Sequence, residues 1–98
     1  MSLNRKPSMN LQSLRYAVAM SQTKSIKKAA EICFKTPPSV NISVTQLEMF
    51  LGTKLFERIR GRGSWEIKTT EYGEQTIQTF KRILKELDAL KERGKCIS

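Results

Sequence analysis

The sequence lacks histidine altogether and has only two cysteines, Cys33 and Cys96, among its 98 residues. Without histidine there is no imidazole base for catalysis and no imidazole ligand for a metal. The two cysteines lie far apart and do not form the C-x-x-C pair of a zinc or redox site; Cys33 is expected to be a small buried residue and Cys96 a free thiol. Because no catalytic triad or paired carboxylates can be recognised either, we predict a protein without enzymatic activity, metal or cofactor.

Long apolar segments are also missing. The N-terminus, MSLNRKPSMN, has no apolar stretch of the kind found in secretory signals. No apolar run approaches the roughly 20 residues that span a membrane. The length suits one small domain, and these observations predict a cytoplasmic protein that is not attached to a membrane.

Acidic residues are scarce relative to basic ones. The chain has 18 Lys and Arg against 9 Asp and Glu, a net charge of +9. Residues 1–70 carry twelve of the basic and four of the acidic side chains, whereas residues 71–98 are close to neutral. The excess of positive charge in the first two thirds of the chain therefore predicts a surface there that binds a polyanion, either a nucleic acid or an acidic membrane face.

Three short helices are predicted after a polar, disordered leader at residues 1–9. The first covers residues 10–22, and Ser25 is the expected N-cap of the second. Thr36 is placed to cap the third, whose first turn tolerates two prolines because its N–H groups need no partner within the helix. Gly52 is the expected C-cap. Two helices joined by such a short turn form a helix-turn-helix.

A β-hairpin is predicted next. Residues 55–59 are rich in strand-forming side chains, and residues 65–68 alternate between apolar and polar. Between them lies the glycine-rich, basic segment 60–64, which gives the hairpin a cationic tip. A bulky core is expected from three aromatic residues, Phe34, Phe56 and Trp65.

A long helix, residues 70–93, follows with Thr69 or Thr70 as its cap, and residues 94–98 form a tail. Its apolar stripe is longer than a small domain can cover, which favours dimerisation. The predicted interface residues are Ile77, Phe80, Ile83, Leu84, Leu87 and Leu90. The fold class is thus mainly α: a winged helix-turn-helix of three helices plus a two-stranded wing, residues 10–69, followed by a linker and dimerisation helix.

Contacts with DNA would be divided between two sets of residues. The third helix carries a single charge, Glu48, so we expect its short polar and methyl-bearing side chains to contact bases in the major groove. These are Ser39, Asn41, Ile42, Thr45 and Gln46. Phosphate or minor-groove contacts are expected from Lys27, Lys28, Lys35, Thr36, Arg58, Arg60 and Arg62.

Two parts of this set, the start of the third helix and Arg58, have specific expected partners. Free N–H groups at the start of the third helix, residues 36–39, are expected to bind a phosphate. Arg58 has an alternative, since Glu57 or Glu66 within the hairpin could pair with it.

Several runs of residues, in this order and spacing over Leu11–Leu90, resemble the N-terminal DNA-binding domain of LysR-type transcriptional regulators. They are Leu14-Arg15-Tyr16, Ser25-Ile26-Lys27-Lys28-Ala29-Ala30-Glu31, Gln46-Leu47-Glu48, Leu51-Gly52, Leu55-Phe56-Glu57-Arg58 and Thr70-Glu71-Tyr72-Gly73. The resemblance implies a winged helix-turn-helix whose last helix pairs two protomers.

The sequence departs from the family pattern in the third helix. Pro37 stands where the family usually has Gln, Asn41 where it has Ser, and Ile42 where it has Arg. Base contacts tied to that Gln and Arg therefore do not carry over to this chain. Family members also usually continue into an effector-binding domain, and we expect no small-molecule effector site in these 98 residues.

The leading hypothesis is a sequence-specific DNA-binding transcriptional regulator that binds a partly palindromic site as a homodimer, in the cytoplasm and associated with the bacterial nucleoid. One alternative is an interaction protein that pairs with full-length relatives and inhibits them. Another is a sequence-neutral accessory or nucleoid protein.

Overall fold

Three short helices and a small sheet precede one long helix in this chain. The computed structural model describes residues 6–61 and 65–97, with side chains up to residue 94. Within those ranges the elements are α1 (Leu11–Thr23), α2 (Ile26–Cys33), α3 (Pro37–Leu51), β1 (Phe56–Arg60), β2 (Trp65–Thr69) and α4 (Glu71–Ile97). The predicted winged helix-turn-helix followed by a long helix is confirmed.

Helix starts are set by local side-chain caps. The side chain of Asn10 accepts a hydrogen bond from the N–H of Ser13 at 2.8 Å, while the Ser13 hydroxyl accepts one from the N–H of Asn10. The side chains of Ser25 and Thr36 likewise accept hydrogen bonds from the N–H groups of Lys28 and Ser39, at the starts of α2 and α3, without the reciprocal bond. Such caps satisfy first-turn N–H groups that have no partner within the helix, which is why the sequence locates these starts correctly.

Helix ends use left-handed backbone conformations. Gly52 closes α3 with φ at +79°, as predicted. Lys24 and Phe34 close α1 and α2 with φ near +57°, although neither is a glycine. Phe34 is 92% exposed, so the expectation that it fills the core is wrong: the left-handed turn directs its ring away from the domain.

The core lies where α1, α2 and α3 meet the sheet and the first turns of α4. Ala29 and Ala30 are fully buried, and their small side chains let α2 pack closely on its neighbours. The strands pair antiparallel, with Arg58 opposite Ile67. Phe56 and Ile67 face the core, as expected for a half-buried hairpin, but Trp65 is 48% exposed near the tip and does not fill the core.

Thr70, rather than Thr69, caps α4. Its hydroxyl accepts a hydrogen bond from the N–H of Gly73 at 2.9 Å, and its own N–H donates to the carbonyl of Leu55. A Cβ on Gly73 would overlap that carbonyl oxygen and lie 3.0 Å from its carbon. Glycine at this position therefore allows α4 to pass directly over the start of the wing.

Two residues of the predicted dimer interface belong to the core of their own chain. Ile77 and Phe80 are 2% and 5% exposed, because the first turns of α4 pack against α1. Their assignment to the interface is corrected accordingly. Leu84 also packs at the edge of the core, whereas Ile83 and Leu90 are exposed further along the helix.

Candidate nucleic-acid interface

The outward side of α3 displays the predicted base-contacting residues to different extents. Ser39 and Ile42 are exposed, and Asn41 is half-buried. Thr45 and Gln46 are half-buried further along the helix, where the backbone N–H of Ser8 donates to the carbonyl of Gln46 at 3.1 Å. The first half of α3 is thus the more accessible part, which is also where recognition helices usually contact base edges.

The start of α3 offers few backbone donors. Pro37 and Pro38 have no N–H, the N–H of Ser39 points to the Thr36 hydroxyl at 3.4 Å, and that of Val40 donates to the carbonyl of Thr36. Most of the N–H groups expected to bind a phosphate here are therefore missing or engaged. A phosphate at this point would depend on side chains instead.

Glu48, the one charged residue of α3, is 6% exposed and connects the helix to the wing. Its Oε2 atom accepts hydrogen bonds from the backbone N–H groups of Leu55, at 2.8 Å, and Phe56, at 3.1 Å. Its Oε1 atom lies 3.3 Å from Nη2 of Arg58. The carboxylate thus fixes the point at which the chain enters β1.

Arg58 pairs with α3 and not with the hairpin glutamates. Besides its ion pair with Glu48, its Nε–H donates to Oδ1 of Asn41 at 2.9 Å. Nη2 is buried and, within the described residues, makes no hydrogen bond of good geometry, so its contact with Glu48 is mainly electrostatic. The alternative prediction that Glu57 or Glu66 pairs with Arg58 is therefore wrong. The Arg58 side chain is also largely buried.

The sequence analysis missed this role of Glu48, although a signal was present. Glu48 is the single charged residue among the fifteen of α3, and it lies next to Leu47 and four residues after Val44, on the buried stripe. A carboxylate in that position requires a cation or several donors to offset its desolvation.

A concave groove of about 760 Å³ separates α3 from the wing tip. It contains no acidic residue, and its walls are mainly apolar. The lining residues are Ser25, Ile26, Lys27, Pro37, Pro38, Asn41, Arg58 and Trp65. The start of α2, the first turns of α3 and the wing therefore border one surface.

Exposed cations stand on both flanks of this groove. Lys27, Lys28 and Lys35 are exposed on α2 and the following turn. Lys24 and Lys28, together with Glu31 and Glu66, line a second depression that reaches Gly61 at the wing tip. Thr36, also exposed, directs its hydroxyl to Ser39.

On the wing, the guanidinium of Arg60 lies over the ring of its cross-strand partner Trp65, 5.6 Å from the centroid. This cation–π contact holds the Arg60 charge at the wing tip. Arg62, the other predicted wing cation, lies outside the described residues.

The described part of the chain was predicted to bind no metal and to have no attachment to a membrane. It contains no group of three or more acidic or cysteine residues that could hold a metal ion. No described helix is long and apolar enough to cross a membrane. Burial raises the pKa of the half-buried Cys33 thiol, an effect partly offset by the charge of Arg15, so its thiolate form is suppressed at neutral pH.

Comparison with known proteins agrees with this architecture. The family described as bacterial regulatory helix-turn-helix protein, lysR family, matches residues 11–74. The HTH-type transcriptional regulator CfxR of Cupriavidus necator is 33% identical over 84 residues, which cover 86% of this chain and 25% of that protein. The chain thus spans about a quarter of the length of the curated relatives that it matches.

Solved structures show the same likeness. The DNA-binding domain of BenM in complex with benA site 1 DNA has a TM-score of 0.79 and 34% identity, covering 91% of this chain and 96% of that one. Full-length OxyR C199D from Pseudomonas aeruginosa has a TM-score of 0.81 and 28% identity, covering 91% and 29%. With its helices, its wing and most of its sequence matched, this chain belongs to the LysR family of DNA-binding transcriptional regulators.

Proposed function

We propose that this chain binds double-stranded DNA sequence-specifically as a two-fold homodimer, and that it regulates transcription by occupying promoter DNA at the nucleoid. The observation that carries the proposal is the placement of exposed cations on both sides of an α3 whose exposed side chains carry no charge. Lys27 lines a groove without acidic residues and is followed on α2 by the exposed Lys28. On the wing, Arg60 lies over the ring of Trp65, which lines the same groove. Phosphate contacts supply affinity and base contacts supply sequence preference, so this division suits duplex recognition.

The docking that follows from this arrangement has α3 in the major groove and the wing along the flanking backbone or minor groove. The match to a DNA complex of the BenM DNA-binding domain supports the binding of duplex DNA by this fold. No catalytic step is involved, because occupation of the site is itself the regulatory event.

Dimerisation would use the outer half of α4. Ile83 and Leu90 are 41% and 56% exposed, and Leu87 is half-buried between them along the helix. Apolar side chains that recur on one side of a long helix favour pairing with another helix. A two-fold pair of winged domains then predicts two half-sites separated by one helical turn of DNA or a multiple of it.

The proposal is tested by titrating the protein against a duplex selected from a random pool and against random duplex, over a series of salt concentrations. Arg60→Ala should weaken binding to both duplexes and reduce the slope of log K against log salt by about 1, because one phosphate contact is lost. Lys81→Ala, an exposed cation on α4, is the matched control and should leave the slope unchanged.

Equal affinity for selected and random duplex would instead favour a sequence-neutral accessory protein. An unchanged slope for Arg60→Ala would contradict the role of the wing.

The exposed outer half of α4 also favours a second candidate function, in which this chain pairs with full-length relatives and inhibits them. Mixing the tagged chain with such a relative tests this directly. Mixed dimers with weakened promoter binding would support it, and homodimers alone would oppose it.

A further inference from the structure

We propose that Asn41 is a specificity-determining residue that donates a hydrogen bond to a keto oxygen in the major groove, O6 of guanine or O4 of thymine, and discriminates against the amino groups of adenine and cytosine. This inference rests on the proposed binding of duplex DNA through α3. It adds which chemical group on a base Asn41 of α3 recognises.

The orientation of the Asn41 amide is fixed by chemistry. A guanidinium has only donors, so the atom that meets Nε–H of Arg58 at 2.9 Å must be the amide oxygen. The amide nitrogen is thereby turned away from Arg58. Among the described residues it donates to no protein group, and the side chain is half-buried and lines the groove.

Arg58 is itself held in place from behind. Its Nη2 atom lies 3.3 Å from the Glu48 carboxylate, and that carboxylate accepts hydrogen bonds from the N–H groups of Leu55 and Phe56. The contacts run from the start of β1 through Glu48 and Arg58 to Asn41. A side chain supported in this way keeps one orientation when a duplex approaches.

A free asparagine usually pairs with adenine, accepting from N6 and donating to N7, which requires both its oxygen and its nitrogen. Here Arg58 retains the oxygen, so only a donor is offered. In the major groove guanine accepts hydrogen bonds at O6 and N7 and thymine at O4, adenine accepts only at N7, and cytosine has no acceptor. An amide N–H₂ directed at the keto position therefore prefers guanine or thymine, because adenine and cytosine place an amino group there.

The test is selection of binding sites from a randomised duplex pool by the wild type and two variants. The wild type should enrich guanine or thymine at one position of each half-site by roughly three- to tenfold, the range for a single hydrogen bond. Asn41→Ala should lose the enrichment at that position and keep it elsewhere. Gln12→Ala, an exposed amide on α1, is the control and should reproduce the wild-type profile.

Asn41→Asp provides the sharper result. An aspartate keeps a partner for Arg58 but presents an acceptor in place of the donor, so the preference should invert to cytosine or adenine. Because this variant retains the contact with Arg58, it also serves if Asn41→Ala fails to fold.

Three results would overturn the inference. An unchanged profile for both variants would show that Asn41 contacts no base. Loss of affinity for every sequence by the same factor, with the profile retained, would make it a phosphate contact. If the wild type enriches no sequence at all, the proposed sequence-specific function fails, and the inference fails with it.

Discussion

At the scale of single residues, Gly73 lies where no side chain fits. It lies where α4 crosses the carbonyl group of Leu55, and the hydroxyl of Thr70 accepts its N–H. The carbonyl already accepts the N–H of Thr70 at 2.9 Å. Neither backbone can move without breaking one of these bonds, so a side chain at position 73 would separate the wing from the long helix.

Gly73→Ala is therefore expected to destabilise the fold by about 2 to 3 kcal/mol, as overpacking of a closed site does. Gly94→Ala is the matched control in the same helix, because no atom lies within 4 Å of its added Cβ. There the better helix propensity of alanine should raise stability by about 0.5 kcal/mol. Urea unfolding followed by circular dichroism measures both, and equal effects of the two substitutions would contradict the steric argument.

At the scale of secondary-structure elements, Glu48 joins α3 to β1. One carboxylate accepts two backbone N–H groups and faces a buried guanidinium nitrogen. The position of the wing relative to α3 is thus set by hydrogen bonds and charge as well as by apolar packing. An isosteric change that removes the charge measures this contribution.

Glu48→Gln should destabilise the protein by about 2 to 4 kcal/mol, because Arg58 loses its counter-charge and an amide N–H₂ meets donors. Glu57→Gln, at an exposed position of β1, is the control and should change stability by less than about 0.5 kcal/mol. Chemical denaturation gives both values. If the two variants lose the same amount, the buried carboxylate has no special role.

Elements of this fold differ in how far the sequence predicts them. Caps such as Asn10, Ser25 and Gly52 act within a few residues, so their identity alone locates the helix ends. The contact between Asn41 and Arg58 spans 17 positions and arises only when the wing folds back on α3. For that reason the sequence suggested only the hairpin glutamates Glu57 and Glu66 as alternative protein partners of Arg58, and its contacts with Asn41 and Glu48 were not predicted.

At the scale of the whole molecule, α4 serves two purposes along its length. Its first turns complete the core through Ile77 and Phe80, whereas Ile83 and Leu90 remain exposed. The apolar stripe in the sequence is continuous, so periodicity alone did not show where the core ends. The proposed dimer depends on the outer part.

Leu87→Asp should therefore convert the dimer to a monomer while leaving the winged domain folded, because a charge would be buried at the centre of the helix pair. Ala89→Asp, on the opposite side of α4, is the control and should remain dimeric. Sedimentation velocity gives the mass of each. An unchanged mass for Leu87→Asp would place the interface elsewhere.

The bond between Asn41 and Arg58 also limits how DNA preference can be transferred or inherited. A chimaera that takes only α3 from this chain into a relative would import Asn41 without the guanidinium that orients it, and the grafted amide would be free to turn. Grafting residues 37–58 as one piece would carry Asn41, Glu48 and Arg58 together. Under the proposed role of Asn41, the segment that must be transferred to keep its base preference is therefore α3 together with the start of β1.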